Sequence, residues 1–193
     1  MNHEPAMLQS TTGQPMTLEG VSARGVVRGL LFELTVEQRY RNPGTTNIEA
    51  VYTFPLPFEA VLLDLDVELG SRKLAAVVVE KKEASARYEV AIDQGDTAIM
   101  LERAGDGLCT LNLGNLMAGE SALIRYRYAQ LLRFEHGSVR LAVPTVIAPR
   151  YGDPAKAGLD PHQVPTTDLA VAYPFALAID LEGDVAKGRL ASP

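Results

Sequence analysis

Apolar and polar residues alternate along much of the chain. From 30 to 40 the even positions Leu30, Phe32, Leu34, Val36 and Tyr40 are apolar, broken only by Gln38, while Glu33, Thr35, Glu37 and Arg39 are polar. A period of two puts each set on its own face of a β-strand, so this stretch predicts a strand with one buried side. The turn-rich run Asn42-Pro43-Gly44-Thr45-Thr46-Asn47 follows, after which Ile48, Ala50, Tyr52, Phe54 and Leu56 alternate with Glu49, Val51 and Thr53. Together the two stretches read as an antiparallel hairpin with a long loop. Past Pro55 and Pro57 the phase shifts, and Val61, Leu63, Leu65, Val67 and Leu69 form an apolar row opposite Asp64, Asp66 and Glu68.

The pattern continues in the same style after a turn at 70–72. Val77-Val78-Val79 reads as a strand buried on both faces. Residues 80–94 differ: they are rich in helix formers and place Ala84, Tyr88 and Ala91 at i, i+4 and i+7, which predicts a helix of about three turns. Strands are expected again at 97–102, 108–113 and 121–132, separated by Gly105-Asp106-Gly107 and by 114–119, and then along Val139, Leu141 and Val143. Residues 149–174 hold five of the twelve prolines and no period, the mark of a linker or surface loop. Phe175, Leu177, Ile179 and Leu181 restore the alternation, Gly183-Asp184 turns, and 185–191 returns as a second strand of a C-terminal pair. The fold class is mainly β: a β-sandwich or barrel-like domain of about ten strands with one short helix, then a Pro-rich linker and a short C-terminal strand pair.

Composition narrows the function classes. With 193 residues, 47% of them hydrophobic, the chain can bury a core without disulfide or metal staples. Its formal net charge of −6 repels a polyanion, which argues against nucleic acid. The one cysteine, Cys109, rules out an intrachain disulfide and any thiolate zinc site. No run of about 18 apolar residues exists to insert into a membrane. The first residues lack a basic and apolar leader, which implies the cytoplasm for a native start and an exported protein for a chain whose leader has been removed; the compartment stays unknown.

Four stretches taken in order carry a family resemblance: VEQRYRNPGTTNIEAVYTFPLP (36–57), GSRKLAAVVVEKKEASARYEVAIDQGDTAIMLE (70–102), LNLGNLMAGESALIRYRYAQLL (111–132) and VRLAVPTVIAPRYG (139–152). They resemble the vault protein inter-alpha-trypsin (VIT) domain over residues 18–152, and the resemblance implies a compact β unit used for protein interaction or scaffolding, with no catalytic motif. The tail PFALAIDLEGDVAKGRLASP (174–193) is similar to the segment that joins such domains to a von Willebrand factor type A domain. The expected organisation is an N-terminal segment 1–17, a VIT-like β domain 18–152, a Pro-rich linker 153–174 and a strand pair 175–193 leading toward a downstream domain.

Each candidate for chemistry has a plainer reading. Cys109 with His3, His136 or His162 is the minimum for a thiol nucleophile, but Cys109 shares an apolar strand face with Leu111 and Leu113, so a buried, idle thiol is expected. Asp64, Asp66 and Glu68 project side by side about 7 Å apart, too straight a row to wrap a cation without loop oxygens, and Asp106 is a turn residue. Arg125-Tyr126-Arg127-Tyr128 and Arg39-Tyr40-Arg41 interleave basic and aromatic residues, yet on strands the tyrosines point inward and the arginines outward, toward the acidic row. No catalytic residues, metal ligands or cofactor are assigned. The expected function is a non-catalytic interaction or scaffolding module that precedes a von Willebrand factor type A domain, with a protein partner or that domain as its contact and a homodimer formed through the tail. The alternative is a ligand-binding or hydrolytic β-sandwich with a loop carboxylate site around Asp153, Asp160 and His162.

Overall fold

The computed structural model of the chain describes residues 9–10, 16–57, 59–75, 90, 94, 99–104, 108–144 and 173–191. Among them the period-two stretches form strands β1 (Gln9–Ser10), β2 (Thr17–Arg28), β3 (Leu31–Arg41), β4 (Ile48–Pro55), β5 (Val61–Leu69), β6 (Arg72–Ala75), β7 (Ile99–Ala104), β8 (Leu108–Leu116), β9 (Ser121–Leu131), β10 (Phe134–Glu135), β11 (Ser138–Val139) and β12 (Phe175–Glu182). A six-stranded sheet runs in the order β12-β2-β3-β9-β5-β6, and a four-stranded sheet in the order β1-β4-β8-β7. No hydrogen-bonded strand pair joins the two among the described residues, so the unit is a sandwich rather than a closed barrel.

The inward rows of both sheets merge into one core. Phe32, Leu34, Val36 and Tyr40 of β3 and Ile124, Tyr126 and Tyr128 of β9 meet Tyr52 and Phe54 of β4 and Leu111 and Leu113 of β8. Phe54 stacks on Tyr126 with ring centroids 4.3 Å apart, and Tyr52 lies 5.6 Å from Tyr40, so aromatic pairs tie sheet to sheet. Gly25 in β2 faces inward because there is no room for more: a Cβ there would sit 2.7 Å from Phe32 Cε2 and 2.9 Å from Leu34 Cδ1.

Several expectations change. The stretches 30–40 and 48–56 are not a hairpin: β3 and β4 lie in different sheets, and the turn between them carries the chain from one layer to the other. Alternation states which face is buried, and two apolar faces can meet across a core as readily as they can lie side by side. The strand expected along Val139, Leu141 and Val143 ends at Val139, whose partner is Phe134 in a small hairpin. In place of a C-terminal strand pair, β12 joins the large sheet alone, parallel to β2 from Phe175↔Val21 to Glu182↔Arg28. The segment after it is a 3-10 turn, Gly183–Lys187, opened by Gly183 at φ +77 and closed by Lys187 Nζ 2.8 Å from Asp184 Oδ1. β2 itself is absent from the sequence reading, because Gly20, Ser22, Arg24 and Gly25 dilute its pattern and its register shifts between Leu18 and Gly20. The helix expected over 80–94 falls outside the described residues except for Val90 and Gln94, whose N–H donates to the Val90 carbonyl at 3.1 Å. The Val77–Val79 run and, save Tyr173 and Pro174, the Pro-rich linker also lie outside them.

Candidate functional site

On its solvent face the large sheet carries a ladder of opposite charges centred on β9. Register places Arg125 between Glu37 of β3 and Asp66 of β5, and Arg127 between Thr35 and Asp64. Arg125 Nε reaches Glu37 Oε1 at 2.6 Å and its Nη1 lies 3.6 Å from Glu68, while Arg127 Nη2 reaches Asp64 at 2.7 Å and its Nη1 lies 3.7 Å from Glu33. Lys73 on β6 adds a 2.9 Å pair to Glu68. The hydrogen bond from Lys73 holds the Glu68 carboxyl below the usual carboxylate range, while those to Glu37 and Asp64 raise Arg125 and Arg127. The sequence expectation that the arginine face meets the acidic row is thus realised. In it Asp64 and Glu68, two of the three acids of that row, are engaged by basic side chains.

The aromatic and thiol candidates lie on the other side of the same strands. Tyr40, Tyr52, Tyr126 and Tyr128 are buried, and Tyr40 donates its hydroxyl to Gln38 Oε1 at 2.9 Å. Desolvation pushes the phenols of Tyr40, Tyr52 and Tyr126 above their ordinary value. Arginine and tyrosine therefore share no surface on which a base could stack. Cys109 is 4% exposed and sits across from Phe54 in the β4–β8 ladder, as its apolar face predicts. His136 occupies the β10–β11 turn at φ +51, with no metal-binding group of three or more His, Cys, Asp or Glu among the described residues. His3, Asp106, Asp153, Asp160 and His162 lie outside the described residues.

One end of the sandwich is stapled by a residue that sequence reading marks only as part of a turn. Asn42 is 1% exposed; its Nδ2 donates to the carbonyls of Thr46 and Met117 at 3.0 Å each and of Leu116 at 3.4 Å, and its Oδ1 accepts from Gly44 N–H at 3.0 Å. Glu120 completes the staple, accepting from Arg72 at 2.7 and 2.9 Å and from Met117 N–H at 3.0 Å. Beside it lies an open cleft of about 320 Å³ lined by Thr17, Glu19, Arg41, Asn42, Pro43 and Gly119. Its one carboxylate is Glu19.

The opposite end is apolar. Leu31 and Leu131 lie directly opposite each other at the end of β3 and β9, on the same face as the charge ladder. Val61, paired with Ala129, extends the row onto β5, and Phe134 follows just beyond β9. Leu131, Phe134 and Val61 are 66%, 64% and 62% exposed, with Leu30 and Leu63 also open to solvent. Isolated exposed leucines are ordinary, whereas here several open apolar side chains gather at one end of the sheet. No helix among the described residues is long and apolar enough to cross a membrane.

Comparison with known proteins gives a family and several relatives. The sequence profile of the Vault protein inter-alpha-trypsin domain matches residues 18–128. The human von Willebrand factor A domain-containing protein 5A is 27% identical over 90% of this chain and 23% of its own length. Protein mono-ADP-ribosyltransferase PARP4 of Mus musculus is 27% identical over 92% of this chain and 9% of its own length. A von Willebrand factor A domain-containing protein of Dictyostelium discoideum, DDB_G0292016, is 33% identical over 46% of this chain and 10% of its own length. The chain spans less than a quarter of each of these relatives.

Proposed function

Since the chain belongs to the VIT domain family, we propose that it is a non-catalytic scaffolding module that holds a von Willebrand factor type A domain against its apolar end. What supports the reading most is the conjunction of the family match with relatives named for von Willebrand factor A domains. The geometry is compatible with it. Asp64 and Glu68 are bound up in the ladder, and the thiol is in the core, whereas Leu31, Val61, Leu131 and Phe134 offer a surface that a second domain would remove from water. The C-terminal end of β12 reaches the same end of the sheet, because Glu182 pairs with Arg28, next to the Gly29–Leu30 turn. The transferase activity in the name of PARP4 is not carried over to a chain that spans 9% of it.

The residues encoded after Pro193 test the first half of the proposal: an Asp-x-Ser-x-Ser sequence following an apolar strand supports it. Titration of 1–193 with that domain, expressed separately, tests the second. Saturable binding supports the module, and a downstream sequence with no such domain contradicts it.

A further inference from the structure

Among the described residues the outer edge of β12 is unpaired, and only the acids Asp180 and Glu182 guard it. Among the described residues β12 is hydrogen-bonded only to β2, and its sequence FALAIDLE has no proline, glycine, lysine or register shift. Its inward row, Phe175, Leu177 and Leu181, lies at the margin of the core and is 44%, 43% and 36% exposed. Its outward row is Ala176, Ala178, Asp180 and Glu182.

We propose that a second copy of this chain pairs antiparallel along the free edge of β12, making one continuous sheet through both molecules. Chemistry limits the register. A one-residue slip would set apolar side chains across from acids, since neighbours on paired strands must share a face. Centring the two-fold axis on Ala178 avoids this: Phe175 then meets Leu181 of the partner, Leu177 meets Ile179 of the partner, and the two Asp180 side chains lie apart, each facing Ala176 of the other copy. The arrangement also brings opposite charges near each other. Arg24 of β2 is in register with Ala178 on the outward face, and only alanine methyl groups separate its side chain from Asp180 of the partner. Neither Arg24 nor Asp180 makes an ion pair among the described residues of one chain, whereas Glu182 is already held by Arg28 at 2.8 Å. Pairing therefore joins two apolar margins and matches two unmatched charges, in the isologous geometry that a two-fold dimer requires.

The test uses the whole chain alone, so it stands or falls independently of any von Willebrand domain. Sedimentation of 1–193 at about 100 µM should show a dimer. Ala178→Cys should form a covalent dimer on mild oxidation, and Ser138→Cys, on the distant hairpin, should not. Arg24→Asp should weaken dimerisation about tenfold, and adding Asp180→Arg should restore it. A monomer for the native chain overturns the proposal, as does a dimer in which Ala178→Cys couples no faster than Ser138→Cys.

Discussion

Arg125 turns its Nε to Glu37 at 2.6 Å, on the strand that follows β2, although register sets Asp66 directly across from it on the other side. The guanidinium thus bridges β3 and β5, because its Nη1 still lies 3.6 Å from Glu68. Both partners in the Glu37 pair are about one-third exposed, at 33% and 39%, so solvent screening keeps its worth small. A double-mutant cycle of Glu37→Gln with Arg125→Gln should give a coupling of about 0.5 to 1 kcal/mol in denaturant unfolding, and Asp66→Asn with Arg125→Gln a smaller one. Because Glu68 titrates below its unfolded value, its contribution is present above the ordinary carboxylate range and is lost as pH falls through the folded pKa. Glu68→Gln should flatten that acid limb.

Asn42 should be far more sensitive than any surface pair. Asn42→Ala would strand the carbonyls of Thr46 and Met117 and the Gly44 N–H, at a cost of about 2 to 3 kcal/mol in chemical denaturation. Asn42→Asp should be nearly as damaging, since a carboxylate still accepts from Gly44 but faces the carbonyls without a donor.

Gly25→Ala should cost about 1 to 3 kcal/mol, because the new methyl meets Phe32 and Leu34 inside contact distance. Pairing it with Phe32→Leu should recover part of the loss in a thermal melt. Cys109→Ala should cost on the order of 1 kcal/mol through lost packing, and the native thiol should react slowly with a thiol reagent.

The buried phenols predict alkaline weakening. Tyr40, Tyr52 and Tyr126 have raised pKa values when folded, so above about pH 10 the unfolded chain releases protons that the folded chain keeps. The unfolded state then binds fewer protons, and stability falls as pH rises, by up to about 1.4 kcal/mol per pH unit for each tyrosine. Denaturant unfolding at about pH 9 and about pH 11 measures the drop, and Tyr52→Phe should reduce the slope.

Much of the large sheet is legible in the sequence, because alternation over β3, β9 and the second half of β5 states which face is buried and which charges lie opposite; Val61 and Leu63, expected in the inward row of β5, are exposed, since the register shifts between Leu62 and Asp64. What alternation cannot state is the neighbour. Phe175 to Leu181 reads as a strand, but its partner is β2, some 150 residues earlier, and nothing local marks that pairing. The same limit turned β3 and β4 into an apparent hairpin. Asn42 is visible as a turn residue, while its work depends on carbonyls at Leu116 and Met117 that only the fold brings near. The apolar end is not visible in the sequence, because Leu31, Val61 and Leu131 are far apart in it and each lies within a strand. By contrast the resemblance rests on stretches spread through 36–152, and the matched family region, 18–128, covers the first two of them and the third as far as Tyr128.

The most direct test of the scaffolding account is calorimetric titration of the von Willebrand factor A domain that the proposal places downstream with native 1–193 and with Leu31→Glu/Leu131→Glu. Both positions are exposed, so the variant should melt within a few degrees of the native chain. The account predicts saturable binding by the native chain that weakens at least about tenfold in the variant. Equal affinity in the two, or no binding by a folded native chain, would contradict it.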